Sequence, residues 1–397
     1  MRRILFIVFP LLALPAHADG TLRDAVERAW ARQPAAHAQP ARSEEFAARR
    51  EAADWTFPAP PSLVIGQRTD RLNRNDGQHE LEAEVSLPLW LPGERGRRAT
   101  LVSTEQDQYD VGLATTKWRL AGEVREIYWQ VRLADNDVAL AQRRVEAAAA
   151  LAADVARRVK AGDLARVDLN QVEAAERIAA AARSDAEVRA FKARQVFAAL
   201  TGVTALPDGA EPVALPGAAP DENHPRLAVL QRAIATAQAR LVQASQSLRN
   251  NPELELGMRR ERGLFDEPYS NSVIVRFKLP FATDARNRPR ITAANADLIE
   301  VQAAHNLERA KVSAEVDAAR RELEQAQAVA KLAESRFTLA ADTQRLRTDA
   351  FALGEVDLFA RLRADNERYE AELQFTRAKL EAARAISRLS QALGVLP

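Results

Sequence analysis

Charged side chains at every second position are the feature of this sequence with the clearest chemical potential. In three stretches, charged residues alternate with apolar ones, as in the segment ELEAEV at 80–85. Successive side chains of a β-strand point to opposite faces, so this period of two predicts strands with one charged and one apolar face. The charged positions are Glu80, Glu82, Glu84, Glu253, Glu255, Arg276 and Lys278. Their chemistry would be electrostatic: contact with water and ions on one side of a thin sheet.

Catalytic and metal-binding chemistry has little support. The 397 residues include no Cys, which removes thiol nucleophiles, disulfides and zinc-thiolate sites. His37, His79, His224 and His305 have no closely spaced partner, and we find no Gly-rich phosphate loop or nucleophile elbow. Basic and acidic residues nearly cancel, 56 against 55, so no basic field attracts nucleic acid. We expect no enzymatic activity and no cofactor, metal or nucleic-acid site.

The alternating segments predict membrane β-strands. One face would meet lipid, and the other, which carries the seven charged residues, would meet a wet lumen. Aromatic residues near the strand ends would form interfacial girdles: Trp55, Phe57, Trp90, Phe265, Tyr269 and Phe281. Arg276 and Lys278 share a face with the Glu residues, so the selectivity of the lumen stays open. The alternative is a pair of soluble hairpins that cover a helix layer.

Four strands per chain are too few for a closed barrel. The smallest membrane barrels have about eight strands, and unpaired strand edges are not tolerated in lipid. If the strands lie in a membrane, several chains must share one barrel. The strand count therefore predicts an oligomer.

The chain contains an internal twofold repeat. Gln33-Pro34 in the first half matches His224-Pro225 in the second, and Gly162 matches Gly354. The pattern predicts two structural repeats joined by a Pro-rich linker, each with a helix, a β-hairpin, a long helix and a further helix. The predicted bounds are 19–205 for the first repeat, with a hairpin at 61–90 and helices at 97–160 and 163–201; 206–220 for the linker; and 221–397 for the second repeat, with a hairpin at 252–281 and helices at 288–352 and 355–394.

Within the long helices, apolar residues recur with the heptad spacing of a coiled coil. Val124, Val131 and Val138 follow one another every seven residues, and the second half repeats this spacing from Val316 onward. A helix over 97–160 would be about 95 Å long. We therefore expect a mainly α fold of long antiparallel coiled-coil helices with a small β part. Taken without the strands, the helices would favour an ordinary soluble helical rod.

The first residues predict a cleaved signal peptide over 1–18. Arg2 and Arg3 precede an apolar stretch at 4–14, and Ala16-His17-Ala18 forms a small-x-small cleavage site. The apolar stretch, about eleven residues, is too short to span a bilayer. We expect an exported chain that begins at Asp19 and has no helical membrane span.

Taken together, these features resemble the TolC family of outer-membrane efflux channels. The likeness covers nearly the whole mature chain. It rests on the twofold repeat, on the helix opening TLRDA at 21–25, on the strand exits VSLPLW at 85–90 and FKLPF at 277–281, and on the turns AGDL at 161–164 and LGEV at 353–356. The compact halves, His224-Pro225 and the segment 281–290 are most similar to the CzcC-like heavy-metal-efflux branch.

The resemblance implies a homotrimer. Four strands from each chain would form a twelve-stranded outer-membrane β-barrel, and the helices would form a periplasmic α-barrel. A periplasmic adaptor would couple this channel to an inner-membrane pump of the RND type. The protein would then be a passive conduit for export across the outer membrane, with heavy-metal cations as cargo.

The resemblance also places functional residues at two helical turns. Adaptor docking at the periplasmic tip would involve Gly162, Asp163, Leu164, Gly354, Glu355 and Val356. The family often has acidic residues six and nine positions after the second of these glycines, where this chain has Ala360 and Arg363. This departure puts an acidic gate at that ring in doubt.

Three charged residues near these turns are candidates for a pore constriction: Asp168, Asp357 and Arg363. Three copies of one such residue would make a charged ring, and rings of like charge select ions by sign. The alternative for each is an ordinary solvated charge at a helix end.

A second function from a different class stays open on the sequence. The chain could serve as a soluble periplasmic coiled-coil adaptor or scaffold, with the hairpins as interaction modules. The alternation of charged and apolar residues favours the conduit.

Overall fold

The computed structural model describes residues 20–207, 211 and 223–397. The elements in these ranges are α1 (Leu22–Ala31), α2 (Pro34–Asp54), β1 (Ser62–Thr69), β2 (His79–Pro88), α3 (Glu94–Ala161), α4 (Arg166–Thr201), α5 (Pro225–Gln246), β3 (Glu253–Arg262), β4 (Ser270–Lys278), α6 (Asp284–Ala352) and α7 (Leu358–Ala392). The predicted fold, mainly α with long helices and a small β part, is confirmed. The predicted signal peptide and most of the predicted linker lie outside the described residues.

The helix ends differ from the predicted bounds by a few residues. α6 starts at Asp284 and contains Pro289, whereas the prediction began this helix at 288. The N-terminal helical segment is divided into α1 and α2, and Pro34 opens α2. Proline suits a first helical position because its fixed φ is helical and no backbone N–H is needed there.

The described chain divides into two compact units. Among the described residues, the helical unit comprises 20–36, 117–207, 211 and 314–397, and the strand unit comprises 37–116 and 223–313. Each sequence repeat supplies one hairpin to the strand unit, and its longest helix, α3 or α6, begins in the strand unit and ends in the helical unit. The compact units therefore do not coincide with the two sequence repeats.

In the helical unit, α4 runs antiparallel to α3. Close to the turn that joins them, Val155 and Val172 belong to one buried cluster. Further from the turn, Arg194 pairs with Asp135 at 2.8 Å. Among the described residues, no helix combines the length and apolarity needed to cross a membrane.

In the strand unit, Glu105 of α3 ties together three helices. Its carboxylate pairs with Arg49 of α2 and, at 2.9 Å, with Arg240 of α5. Burial acts to raise the pKa of the Glu105 carboxyl, but hydrogen bonds from Arg240 and Arg49 outweigh it and lower the pKa below the ordinary value. The ionised carboxylate therefore stabilises the folded strand unit.

We expect the substitution Glu105→Gln to lower the free energy of unfolding at neutral pH by about 1 kcal/mol, discounted for partial solvent exposure. A carboxyl with a lowered folded pKa stabilises the protein above its unfolded pKa, and this contribution is lost as pH falls through the folded value. The difference between wild type and E105Q should shrink below a pH of about 4.5, the ordinary value. Denaturant titrations in detergent at several pH values test this.

The matched control is Glu44→Gln on α2, because Glu44 is exposed and forms no ion pair within the described ranges. This variant should unfold like wild type at every pH. An E105Q protein as stable as E44Q at neutral pH would contradict the role assigned to Glu105.

Candidate functional site

The four strands form a single antiparallel sheet in the order β1-β2-β3-β4. Each hairpin pairs its own strands, and β2 pairs with β3 over their whole length, from His79 opposite Arg262 to Pro88 opposite Glu253. The two hairpin turns lie at the same end, where the Phe265 N–H donates to the Asp76 carbonyl at 3.1 Å. The sheet therefore has a turn end and, opposite it, an end that leads into the helices.

The register of the sheet defines two chemically different faces. The charged face carries Ser62, Val64, Gly66, Arg68, Glu80, Glu82, Glu84, Ser86, Pro88, Glu253, Glu255, Gly257, Arg259, Glu261, Ser270, Ser272, Ile274, Arg276 and Lys278. The apolar face carries Leu63, Ile65, Gln67, Thr69, His79, Leu81, Ala83, Val85, Leu87, Leu254, Leu256, Met258, Arg260, Arg262, Asn271, Val273, Val275 and Phe277. All seven charged residues predicted to line a lumen thus share one face, and their exposure to a lumen stays a prediction.

The apolar face is the more exposed of the two along the middle of the sheet. Val273 is 75% exposed, Val275 68% and Met258 65%, whereas Glu84 on the charged face is only 5% exposed. A soluble sheet packed on helices buries its apolar face and exposes its charges. Because this sheet does the reverse, the alternative of soluble hairpins that cover a helix layer is not favoured.

Arg276 holds the centre of the charged face together. Its guanidinium donates to Glu84 at 2.8 Å, Glu255 at 3.1 Å and Glu82 at 3.2 Å. Glu255 lies directly opposite Arg276 on the adjacent strand, while Glu82 and Glu84 lie one strand further away, on β2. The side chain of Arg276 therefore crosses β3.

Gly257 leaves room for this crossing. It lies on β3 directly opposite Glu84. A Cβ atom at Gly257 would lie 2.5 Å from Glu84 Cγ and 2.8 Å from the Ala83 carbonyl oxygen, closer than such atoms can approach. The absence of a side chain at Gly257 thus brings β2 and β3 close together and opens a path for Arg276.

Two further cations of the charged face, Arg259 and Lys278, also pair with carboxylates. Arg259 pairs with Glu80 at 2.9 Å and with Glu82 at 3.4 Å, and Lys278 pairs with Glu253 at 3.3 Å. Arg259 was not among the seven predicted residues, although it continues their alternation. Each of five carboxylates on this face, Glu80, Glu82, Glu84, Glu253 and Glu255, thus has a basic partner within one chain.

Aromatic residues lie at both ends of the sheet. At the helix end, the Trp90 indole donates to the Trp55 carbonyl at 3.0 Å, and Phe281 is 85% exposed. At the turn end, Phe265 and Tyr269 are exposed. This placement at two levels, with an apolar band between them, is the distribution that the sequence predicted for girdles.

In the helical unit, the two glycine turns have closely similar geometry. Gly162 and Gly354 adopt φ values of 91° and 77°, a region that residues with a side chain rarely occupy. Around them, Asp163 N–H donates to the Arg158 carbonyl and Glu355 N–H to the Ala350 carbonyl, both at 2.9 Å. These bonds end α3 and α6 and allow the chain to reverse direction.

The predicted docking residues of these turns divide into two groups. Gly162, Asp163, Gly354 and Glu355 are exposed. Leu164 and Val356 are half-buried against the cluster that contains Val155, Val172 and Phe351. The former group is available to a partner, while the latter stabilises the turns.

Each of the three candidate constriction residues has a contact within the chain. Asp168 accepts a hydrogen bond from the Ala165 N–H at 3.1 Å, and Asp357 accepts one from the Ala360 N–H at 2.8 Å. Both carboxylates thereby satisfy backbone donors at helix N-termini. Arg363 pairs with Glu367 at 2.9 Å on the same helix. A constriction formed by these residues stays a prediction.

Exposed apolar residues beside the turns were missed in the sequence. Val167, Leu353 and Phe359 are 58%, 75% and 67% exposed. A heptad of exposed leucines, Leu332, Leu339 and Leu346, leads along α6 toward Leu353. The sequence contains this spacing of seven. It also contains a second heptad on the same helix, which includes Val316 and Leu323 and is the buried one. The sequence pattern alone does not tell which of the two heptads is exposed.

No protein-family model matches the chain, and no curated protein matches its sequence. Solved structures do match. The chain is similar to a membrane protein from Pseudomonas aeruginosa, with 19% sequence identity over 95% of this chain and 91% of that chain and a TM-score of 0.73. It is similar to the Campylobacter jejuni CmeC outer membrane channel, with 12% identity over 94% and 85% and a TM-score of 0.73. It is also similar to the Neisseria gonorrhoeae MtrE outer membrane channel in its open state, with 18% identity over 94% and 89% and a TM-score of 0.70. The chain therefore has the fold of solved outer-membrane channels.

Proposed function

We propose that this protein is a subunit of a TolC-type outer-membrane channel and that it provides a passive path for export. The observation that carries the proposal is that the sheet exposes its apolar face and buries the middle of its charged face. The apolar side chains of the sheet are exposed, while Glu84 on the opposite face is buried and pairs with Arg276. Such a sheet is suited to a position between lipid and water.

The free edges of the sheet support a shared barrel. Strands β1 and β4 each pair with one neighbour only within the described sheet. In lipid, unpaired backbone groups cost several kcal/mol each, so the edges require partners. We propose that β1 of one copy pairs with β4 of the next and that three copies close a twelve-stranded barrel, as the resemblance to the TolC family implies.

The charged face would line the lumen of this barrel. Its carboxylates are held by Arg259, Arg276 and Lys278. A lining whose charges are paired attracts ions of either sign only weakly. We therefore propose a wide, weakly selective aqueous passage that binds no cargo at a fixed site and catalyses no reaction.

The helical turns would provide the contact with the rest of the export system. We propose that the exposed residues around Gly162 and Gly354 dock onto a periplasmic adaptor, which connects the channel to an inner-membrane pump of the RND type. Asp168, Asp357 and Arg363 would lie near the mouth of the channel. The residues that resemble the CzcC-like branch support heavy-metal cations as cargo.

Fractionation of expressing cells, followed by mass determination in mild detergent, tests the proposal. We expect the chain in the outer membrane as a species of three copies. In planar bilayers this species should conduct both cations and anions. Deletion of the gene should raise sensitivity to divalent metal ions if the cargo assignment is right.

A soluble periplasmic monomer or dimer would contradict the channel and favour the adaptor or scaffold. A membrane trimer whose deletion leaves metal tolerance unchanged would contradict only the cargo. The two levels of the proposal are therefore tested separately.

A further inference from the structure

The turn end of the apolar face carries two arginines that the channel function does not use. Arg260 and Arg262 continue the β3 row of Leu254, Leu256 and Met258. They are two residues apart on one strand and therefore lie on the same face. At this end the apolar face changes from aliphatic to cationic.

Tyr269 brings the two guanidinium groups together. The Arg260 guanidinium carbon lies 4.5 Å from the centre of the Tyr269 ring, and that of Arg262 lies 5.0 Å from it. Arg262 is held further by its Nε–H, which donates to the Gly77 carbonyl at 3.0 Å. The contacts with Tyr269 and Gly77 thus hold the two side chains in place. They leave most of the guanidinium N–H donors unused.

In the part of the chain that the structure describes, no carboxylate neutralises this pair. The strand positions of the apolar face include no Asp or Glu. Among the described residues, no ion pair joins Arg260 or Arg262 to an acid, in contrast to Arg259, whose guanidinium pairs with Glu80 on the opposite face. Nearby, the Glu267 carboxylate accepts from the Gly263 and Leu264 N–H groups of its own turn. Two adjacent cations with unused hydrogen-bond donors favour the binding of an anion at this site.

We propose that Arg260 and Arg262, with Tyr269, bind the phosphate of an anionic lipid headgroup. A guanidinium binds phosphate through two parallel hydrogen bonds. The site is continuous with an exposed apolar face, which would hold the acyl chains of the same molecule, and tyrosine favours the boundary between apolar and polar layers. This continuity selects a lipid over free phosphate. The inference rests on the proposed outer-membrane location. It specifies which molecules the turn end of the sheet contacts there.

The test uses the full-length protein purified from membranes in mild non-ionic detergent. Native mass spectrometry would measure the lipid retained after addition of diphosphorylated lipid A, phosphatidylglycerol, dephosphorylated lipid A or inorganic phosphate. The wild type should retain a phosphate-bearing lipid. The double variant R260A/R262A should retain at least about tenfold less, since basic residues near a membrane surface attract anionic lipid and both would be lost.

The matched control is R68A/R71A. It also removes two arginines at the turn end, but Arg68 lies on the charged face and Arg71 follows β1 in the hairpin turn. Its lipid retention should equal that of wild type. The arm with dephosphorylated lipid A uses the unaltered protein, so the proposal can be tested even if a variant fails to assemble.

Three results would overturn the lipid site: equal retention by R260A/R262A trimers, equal retention of dephosphorylated lipid A, or displacement of lipid by inorganic phosphate at equal concentration. The same spectra report the oligomeric state. A membrane trimer without selective retention would refute this inference alone. A wild-type protein that is soluble and monomeric would refute the channel itself.

Discussion

The substitution Val275→Arg should abolish most of the trimer in the outer membrane. Val275 lies near the middle of β4, on the apolar face, and is 68% exposed in one chain. An arginine that faces lipid near the midplane costs about 2 to 4 kcal/mol, and a trimer would bear this cost three times. Trimer yield in outer-membrane fractions, measured by mass in mild detergent, should fall far below that of wild type. Val85→Arg on β2 should act in the same direction.

The matched control changes the adjacent residue to the same side chain. Ile274 belongs to the charged face and lies opposite Gly257, which in turn lies opposite Glu84. The variant I274R should therefore place its guanidinium near carboxylates and water and should assemble nearly normally. If V275R and I274R give equal trimer yields, the apolar face does not meet lipid and the channel proposal fails.

The substitution Gly257→Val should disrupt the sheet from its centre. The first added carbon would collide with Glu84 Cγ and with the Ala83 carbonyl oxygen. Overpacking of this kind costs about 1 to 3 kcal/mol, and the branched side chain would also block the path of Arg276 to Glu84. We expect a lower temperature of trimer dissociation and, in any trimers that form, a shift toward cation selectivity because the carboxylates lose their partner.

Gly66→Val is the control for Gly257→Val. Gly66 is also a strand glycine on the charged face, but its added Cβ would meet Glu82 Cβ at 3.8 Å, an ordinary contact. Dissociation temperature and the reversal potential under a salt gradient should stay close to wild type in G66V. Equal effects of G257V and G66V would show that loss of glycine as such, rather than the close approach of β2 and β3, is responsible.

Much of the candidate site was predictable because its pattern is local. The alternation of Glu80, Glu82 and Glu84 with apolar residues defines two faces for any strand that contains it. The glycine turns at Gly162 and Gly354 were predictable for a similar reason, since a tight reversal after a long helix favours a residue that adopts positive φ.

The constriction candidates show where local reasoning stops. From the sequence alone, Asp168 and Asp357 fit either a pore mouth or solvated helix ends. Within one chain their carboxylates accept hydrogen bonds from backbone N–H groups at the starts of α4 and α7. A carboxylate close to a helix start is compatible with a pore mouth and with a solvated helix end. Only the arrangement of several chains distinguishes the two.

The sequence by itself determined the faces of the strands, the twofold repeat and the positions of the turns, because each depends on spacing along a single segment. Only the tertiary structure decided that β2 pairs with β3, that Gly257 opposes Glu84 and that Arg276 crosses one strand to reach another. The physical reason lies in the period of two. A slip of two residues between β2 and β3 would leave every apolar side chain on its face, yet it would give Arg276 different carboxylates. The pairing of distant strands depends on the summed fit of backbone hydrogen bonds and side chains, which no single segment contains.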